Sequence, residues 1–351
     1  MRNALREEVR TKQFAEVGML KSVAVGILVV MFFLTAGLGS LQAQEKKIVA
    51  KLGDMLSADH PHTRTWVYFA KKVAEKTKGK VEVQVYDNGQ LGSQKDMYLG
   101  MQIGTLEMGK IPFPVATEWV PQCKIFDLPY LFNSRDELLR VSESPAGKKY
   151  FNDLFLKQGL VGLIWVDDGV RSIYTPSKPI RRVEDMKGMK IRVPGSDIMI
   201  ETINALGGIG TALGWAELYM ALQQKIIDGA ENCPVLFYTS KHWEVCRTYS
   251  LTEHFWILTP AFASKKWWDS LPKEIQVQIS EAALDAEKYF IKIYTEDENN
   301  AIDRLKEKGV HVIADVDRPA FRNKVQPVYD NYMKKYGRGL LDMIRDASKK
   351  K

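Results

Sequence analysis

The chain has 351 residues, enough for two domains with their own cores, and its 45% hydrophobic, 26% charged composition excludes a disordered chain or a multi-span membrane protein. Its 50 Lys and Arg against 43 Asp and Glu give a net charge of +7. The basic groups are spread along the chain rather than gathered in runs, which leaves no nucleic-acid-binding patch.

From Ser22 to Gln44 there is no charge, and Val23–Leu34 is almost wholly apolar. Lys21 stands before this run, and the small residues Ala36, Gly37, Gly39, Ser40 and Ala43 follow it. This is the pattern of a secretory signal peptide. It is expected to occupy residues 1–43 and to leave an exported mature chain that starts at Gln44 with 45 basic and 40 acidic residues. An uncleaved membrane anchor is the alternative, because the stretch is long enough to span a bilayer.

After this segment, "KKIVAKLGDML" reads as a first strand, and "HTRTWVYFAKKVAEKTKG" as a helix with Trp66, Val67, Phe69, Ala70 and Val73 on its buried side. "KVEVQVYDNG" alternates as a strand should, a helical stretch runs from Gln94 to Ile103, and "LEMGKIPF" holds another short strand. The order βαβαβ means a parallel sheet with crossover helices. "GLVGLIWVDDG" restarts the grammar, and "MKIRV", the helix "SDIMIETINALGG" and "WAELYMALQQKIIDGAEN" continue it. The last reads as a helix with Leu218, Ala221, Leu222 and Ile226 on one side, closed by Gly229. Two α/β units in one chain suggest two lobes, which bind ligands at the carboxyl ends of their strands. Pro272–Lys308 is one long helical pattern, with Ile275, Ile279, Ala282, Ala286 and Phe290 at helical spacing. Unbroken, it is roughly 55 Å long at 1.5 Å per residue, and so braces both lobes.

Cysteine and histidine give little. The odd set Cys123, Cys233 and Cys246 is no disulfide framework. The reading is buried free thiols, with a Cys233–Cys246 bridge as the alternative. With no CxxC or HExxH, no metal site is expected, and neither a nucleotide-binding loop nor a GxSxG motif is present, so no cofactor or catalytic centre is expected. Arginine is more informative. Arg171 in "DDGVRSIYT" and Arg192 in "MKIRVPG" fall on successive strands, and neighbouring parallel strands can aim both guanidinium forks at one carboxylate. Arg192 lies between Ile191 and Val193, so strand alternation sends it to the opposite face. Each arginine can instead pair with a nearby carboxylate, Asp168 or Asp197. Asn232 can serve a ligand or its own turn, and Trp215 can wall a pocket or fill a core.

Together, "MKGMKIRVPGS", "GWAELYMALQQKIIDGAEN", "EVCRTYSLTEH", "NGQLGSQKDMYLGMQIGTLEMG" and "FDLPYLF" resemble the extracytoplasmic solute receptors of tripartite ATP-independent periplasmic (TRAP) transporters, the type named for C4-dicarboxylates. The resemblance covers residues 47–335. It implies an α/β, two-lobed periplasmic-binding-protein fold, a cleft that closes on an organic acid, a long bracing helix and a membrane permease as partner. On the resemblance, Arg192 matches the carboxylate-binding arginine, Arg171 a supporting one, Asn232 the pocket asparagine and Trp215 a stacking ring. Lobe I is expected at 44–168 and 257–297, and lobe II at 169–256 and 298–351. Pro112 stands where sialic-acid receptors of the family carry a glutamate. The expected ligand is therefore a sugar acid such as a uronate, or a C4-dicarboxylate, with His60, Lys110 and Tyr238 placed around its hydroxyls. A ligand-sensing module for a signalling protein and a secreted enzyme acting on acid sugars are the alternatives from other classes.

Overall fold

The structure, a computed structural model, describes residues 47–349 apart from residue 143. The expected signal peptide and its alternative, the anchor, lie outside the described residues.

The first sheet starts with β1 (Ile48–Gly53), α1 (Pro61–Lys76), β2 (Val81–Tyr86), α2 (Gln94–Ile103) and β3 (Met108–Lys110). β1 lies between β2 and β3, parallel to both. Sequence sets the helix ends. His60 Nδ1 accepts the His62 N–H at 3.1 Å at the start of α1, where Pro61 needs no donor. Ser93 and Asp96 form a reciprocal capping box on α2, and Gly104 ends it in the left-handed region. Trp66, Phe69 and Val73 are fully buried as read, but Val67 is exposed. At 100° per residue it falls past the edge of the stripe that Trp66 occupies.

The chain continues through α3 (Phe113–Ala116), a 3₁₀ stretch (Pro121–Asp127), α4 (Arg135–Ser142) and α5 (Pro145–Leu156) to β4 (Leu160–Ile164). The second sheet then takes β5 (Asp167–Thr175), β6 (Lys190–Val193), α6 (Asp197–Ala205), β7 (Ile209–Ala212), α7 (Trp215–Gln223), β8 (Gly229–Asn232), α8 (Pro234–Thr239) and β9 (Thr248–Leu258). β10 (Ala261–Ser264) returns to the first sheet and is followed by α9 (Lys265–Ser270) and the long α10 (Lys273–Glu307). β11 (His311–Ile313) rejoins the second sheet before α11 (Arg318–Lys324), α12 (Gln326–Tyr336) and α13 (Gly339–Lys349). The strand orders are β2-β1-β3-β10-β4 and β11-β9-β5-β8-β6-β7. The molecule has two lobes, one on each sheet.

Two expectations are corrected here. The helix read through to Gly229 stops at Gln223. Lys225 turns into the left-handed region at φ 58°, Ile226 is 58% exposed, and Gly229 opens β8 instead. The strands of Arg171 and Arg192 are not parallel neighbours either: β8 lies between them, parallel to β6 and antiparallel to β5. Strand order is a tertiary outcome that the alternation within each strand does not encode.

The long helix is present, 35 residues or about 52 Å. Ile275, Ile279, Ala282, Ala286 and Phe290 are buried along it, in one apolar cluster with Leu52 and Trp66 of the first lobe and Val235 and Leu236 of the second. The three cysteines are free and buried.

Candidate functional site

On β6, Ile191 and Val193 are fully buried in the core, and Arg192 faces the other way. Its guanidinium donates to the Leu213 carbonyl from Nε at 2.9 Å and Nη2 at 2.7 Å. It stands 5.9 Å from the centre of the Trp215 ring. Trp215 is the first residue of α7, so the turn after β7 both holds the guanidinium and sets an indole beside it. Arg192 is 3% exposed, and it makes no ion pair among the described residues. Burial, with the charge of Arg171, outweighs the opposing pull of Tyr174 and Glu231 and brings its pKa from 12.5 to about 10. A buried cation left this way is poised to gain from an anion.

Arg171 is equally buried but fully engaged. Nε and Nη2 grip the two Glu231 oxygens at 2.6 and 2.8 Å, and Nη2 also reaches the Glu231 carbonyl at 2.8 Å. Nη1 donates to Asn232 Oδ1 at 2.6 Å and lies 3.5 Å from Asp168. Burial alone lowers such a group, but Glu231 and Asp168 outweigh it and push the guanidinium pKa further up. Asn232 Oδ1 takes a second hydrogen bond from the Cys233 N–H at 3.0 Å. Both contacts are donors, so this end of the amide is the oxygen. Nδ2 is left as a donor with no partner among the described residues.

Lys110, at the end of β3, faces these groups from the first lobe. Its Nζ pairs with Asp54 at 3.2 Å and donates to His62 Nδ1 at 3.5 Å. His62 Nε2 donates to the Asp167 carbonyl at 3.0 Å and lies 3.7 Å from Asp168. A carbonyl only accepts, so the His62 proton sits on Nε2. Burial, helped by the Lys110 charge, lowers His62 to about 4, which leaves it neutral at pH 7. Burial raises Asp54, but Lys110 and His62 outweigh it, with a hydrogen bond from Trp66 Nε1 at 2.8 Å, and keep it below the usual carboxylate value. A polar chain thus runs from Asp54 through Lys110, His62, Asp168 and Arg171 to Glu231, from one lobe to the other.

Five residues singled out in the sequence line one inner cavity of about 40 Å³: Lys110, Arg171, Arg192, Trp215 and Asn232. Pro112 lines it too. An outer groove of about 350 Å³ shares Gln94, Val115, Arg192, Pro194 and Trp215 with the cavity, and falls in the size range of small-molecule sites. The other two singled-out residues lie elsewhere. His60 caps α1 and packs edge-on against the His62 ring at 4.8 Å. Tyr238 lines a separate cavity of about 190 Å³ with Asp59, Arg64 and Asp297. Sequence reasoning passed over Glu231, Asp54 and Gln94. Glu231 stands beside Asn232 in "DGAEN" and could have been weighed with it. Gln94 sits at the first turn of α2, and nothing in its neighbours marks it. Among the described residues no cluster of His, Cys, Asp and Glu is arranged to hold a metal ion.

The profile of the family described as bacterial extracellular solute-binding protein, family 7 (DctP), matches residues 52–335. A TRAP periplasmic solute-binding protein from Chromohalobacter salexigens, solved with bound D-glucuronate, is 31% identical with a TM-score of 0.82, covering 85% of this chain and 99% of its own. One from a Sulfitobacter species with bound β-D-galacturonate is 29% identical, with the same TM-score and coverage. The C4-dicarboxylate-binding periplasmic protein DctP of Rhodobacter capsulatus is 28% identical over 94% of this chain and 99% of its own length.

Proposed function

Because the chain belongs to the bacterial extracellular solute-binding proteins of family 7 and is a solute receptor of the TRAP type, we propose that it captures a sugar acid with a single carboxylate, a uronate first of all, outside the cytoplasm and passes it to a membrane permease. One observation carries the ligand class. Of the three buried cations lining the inner cavity, Lys110 is paired with Asp54, and Arg171 with Glu231 and Asp168. Arg192 alone makes no ion pair among the described residues, although Glu231 lies near enough to act on it, so the site offers one place for one carboxylate. A C4-dicarboxylate leaves its second carboxylate without an unpaired cation, a costly state in a closed cleft. Asn232 Nδ2 and Gln94 are disposed to meet hydroxyls, and Trp215 offers its face to the sugar ring. Lys110 joins them from the first lobe through its paired ammonium. In this proposal His60 acts through His62, and Tyr238 belongs to the neighbouring cavity.

The same proposal divides the chain into lobe I at 44–168 with 257–297, and lobe II at 169–256 with 298–351. It is supported by the first sheet taking β1–β4 and β10, and the second taking β5–β9 and β11.

A thermal-shift panel of D-galacturonate, D-glucuronate, D-galactonate, succinate and L-malate tests the ligand class. A ligand at one hundred times its Kd stabilises by about 2.7 kcal/mol. The uronates should raise Tm by several degrees at 1 mM and succinate should not. Succinate matching the uronates would overturn the single-carboxylate reading.

A further inference from the structure

A second groove, of about 640 Å³, lies on the other face of the β5–β9 ribbon. Val170 and Trp256 pair across the two strands and line this groove, whereas their chain neighbours Arg171 and Ile257 line the inner cavity. Successive side chains of a strand point to opposite faces, so the two sites are back to back. One wall comes from α11, where Arg318 and Arg322 lie one helical turn apart. The other comes from the segment with Tyr130, Phe132 and Asn133.

The backbone around the groove is strained where strain is least expected. Six non-glycine residues have positive φ among those described, and four of them are Lys or Asn. The other two are Tyr130 at 58° and Glu253 at 47°, and both line this groove. A bulky residue in that region costs free energy and persists where its surroundings enforce it, a common property of ligand clamps. Here Tyr130 N–H donates to the His254 carbonyl at 2.8 Å, and its hydroxyl to the Thr252 carbonyl at 3.0 Å. The Glu253 N–H is held by Ser172 Oγ at 3.0 Å.

The charges leave one cation in waiting. Arg318 pairs with Glu253. Arg322, exposed to solvent, donates to Asn133 Oδ1 at 3.0 Å and to the Tyr130 carbonyl at 3.5 Å, and lies 5.0 Å from the Tyr130 ring centre, with no carboxylate partner among the described residues. The Trp256 indole, Phe132, Val170 and Pro319 line the same groove, and the guanidinium of Arg135 stands 5.9 Å from the Trp256 ring centre.

We propose that this groove is a second binding site, for a carboxylate carrying a flat apolar body, with the carboxylate on Arg322 and the flat body against Trp256. A guanidinium fork matches a carboxylate in two parallel hydrogen bonds, and an indole in the same groove favours a planar ring over a hydrated sugar. The inference stands apart from the sugar-acid reading of the cleft.

The probe is 2-naphthoate, followed by calorimetry and by tryptophan fluorescence in the Arg192→Ala protein, where the cleft lacks its free cation. Saturable one-to-one binding is expected. Arg322→Ala added to this background should weaken it at least tenfold, and Arg322→Gln, which keeps more of the side chain's packing, should do the same. The neutral 2-naphthalenemethanol should bind at least tenfold more weakly than the acid. No saturable binding in the Arg192→Ala protein, no effect of either Arg322 substitution, or equal binding of the alcohol would each overturn the proposal.

Discussion

Two arginines of one cavity have different work, and their substitutions should separate it. Arg192 holds only a backbone carbonyl and an indole face, so the free protein loses little when it is removed. The ligand loses its charge-assisted partner, at a cost of roughly 2–5 kcal/mol, or about thirty- to several-thousand-fold in affinity. Arg192→Ala should therefore nearly abolish galacturonate binding in calorimetry while the unliganded Tm changes by only a few degrees. Arg171 is the reverse case, because Glu231, Asn232 and Asp168 all depend on it. Arg171→Lys keeps the charge but cannot reproduce the fork, and Glu231 is left buried with half its partners. Roughly 2–3 kcal/mol of stability should go, judged against the cost of breaking a buried pair. Binding should weaken as well, through an Asn232 amide that is no longer held. An Arg171→Lys protein as stable as its parent would show that the clasp on Glu231 contributes little.

The long helix tests the packing of an element. α10 carries small residues, Ala282, Ala283 and Ala286, and all three are buried in one cluster with Trp66, Phe69 and Val73 of α1. Ala286→Leu forces extra carbon into that cluster and should cost about 1–3 kcal/mol. Leu284→Ala, on the exposed side of the same helix, should cost under about 0.5 kcal/mol. Equal Tm losses in the two would mean that the cluster is loosely packed. This helix was legible in the sequence because apolar residues recur at helical spacing from Ile275 to Tyr294 and no Pro or Gly interrupts the pattern before Gly309. α7 was legible only in part. Apolar spacing carries on through Ile226 and Ile227, and the residue that stops the helix is Lys225, which takes a left-handed φ without being a glycine. The side to which Arg192 points was readable from strand alternation, since Ile191 and Val193 name the opposite face, but alternation does not tell a cavity from a pairing with Asp197. Arg171's partner was not, because the sequence offers Asp168 three residues away while Glu231 arrives from a strand sixty residues on.

Over the whole molecule, buried imidazoles make stability depend on acid. Burial lowers His62 to about 4, His242 and His254 to about 3, and His60 well below 6.5. With folded values below the unfolded one, the unfolded chain takes up these protons first. Their contribution is complete above about pH 6.5 and is lost as pH falls toward the folded values. For His62 alone the loss at pH 5 is on the order of 2 kcal/mol. Asp127 works in the opposite sense: burial lifts it to about 8, so the folded chain holds that proton across the same range. Burial raises Asp167, Glu231 and Glu298 in the same sense as Asp127, but the four imidazoles carry the larger change over this interval, and the Tm of the unliganded protein should fall by several degrees between pH 7 and pH 5. A flat or rising Tm over that interval would show that the histidines do not titrate as neutral buried rings.

The place of β10 has a consequence for the order in which the chain can fold. It lies between β3 and β4, yet it is the last strand of its sheet to leave the ribosome, about a hundred residues after β4. Until residues 261–264 emerge, β3 and β4 have no common neighbour, and the sheet is two fragments with bare edges. The second sheet waits longer still, for β11 at His311–Ile313. A nascent chain of 250 residues therefore owns most of both cores and can close neither, a pairing so distant in sequence that it is slow to form. Such a chain can complete neither sheet until nearly its whole length has been made.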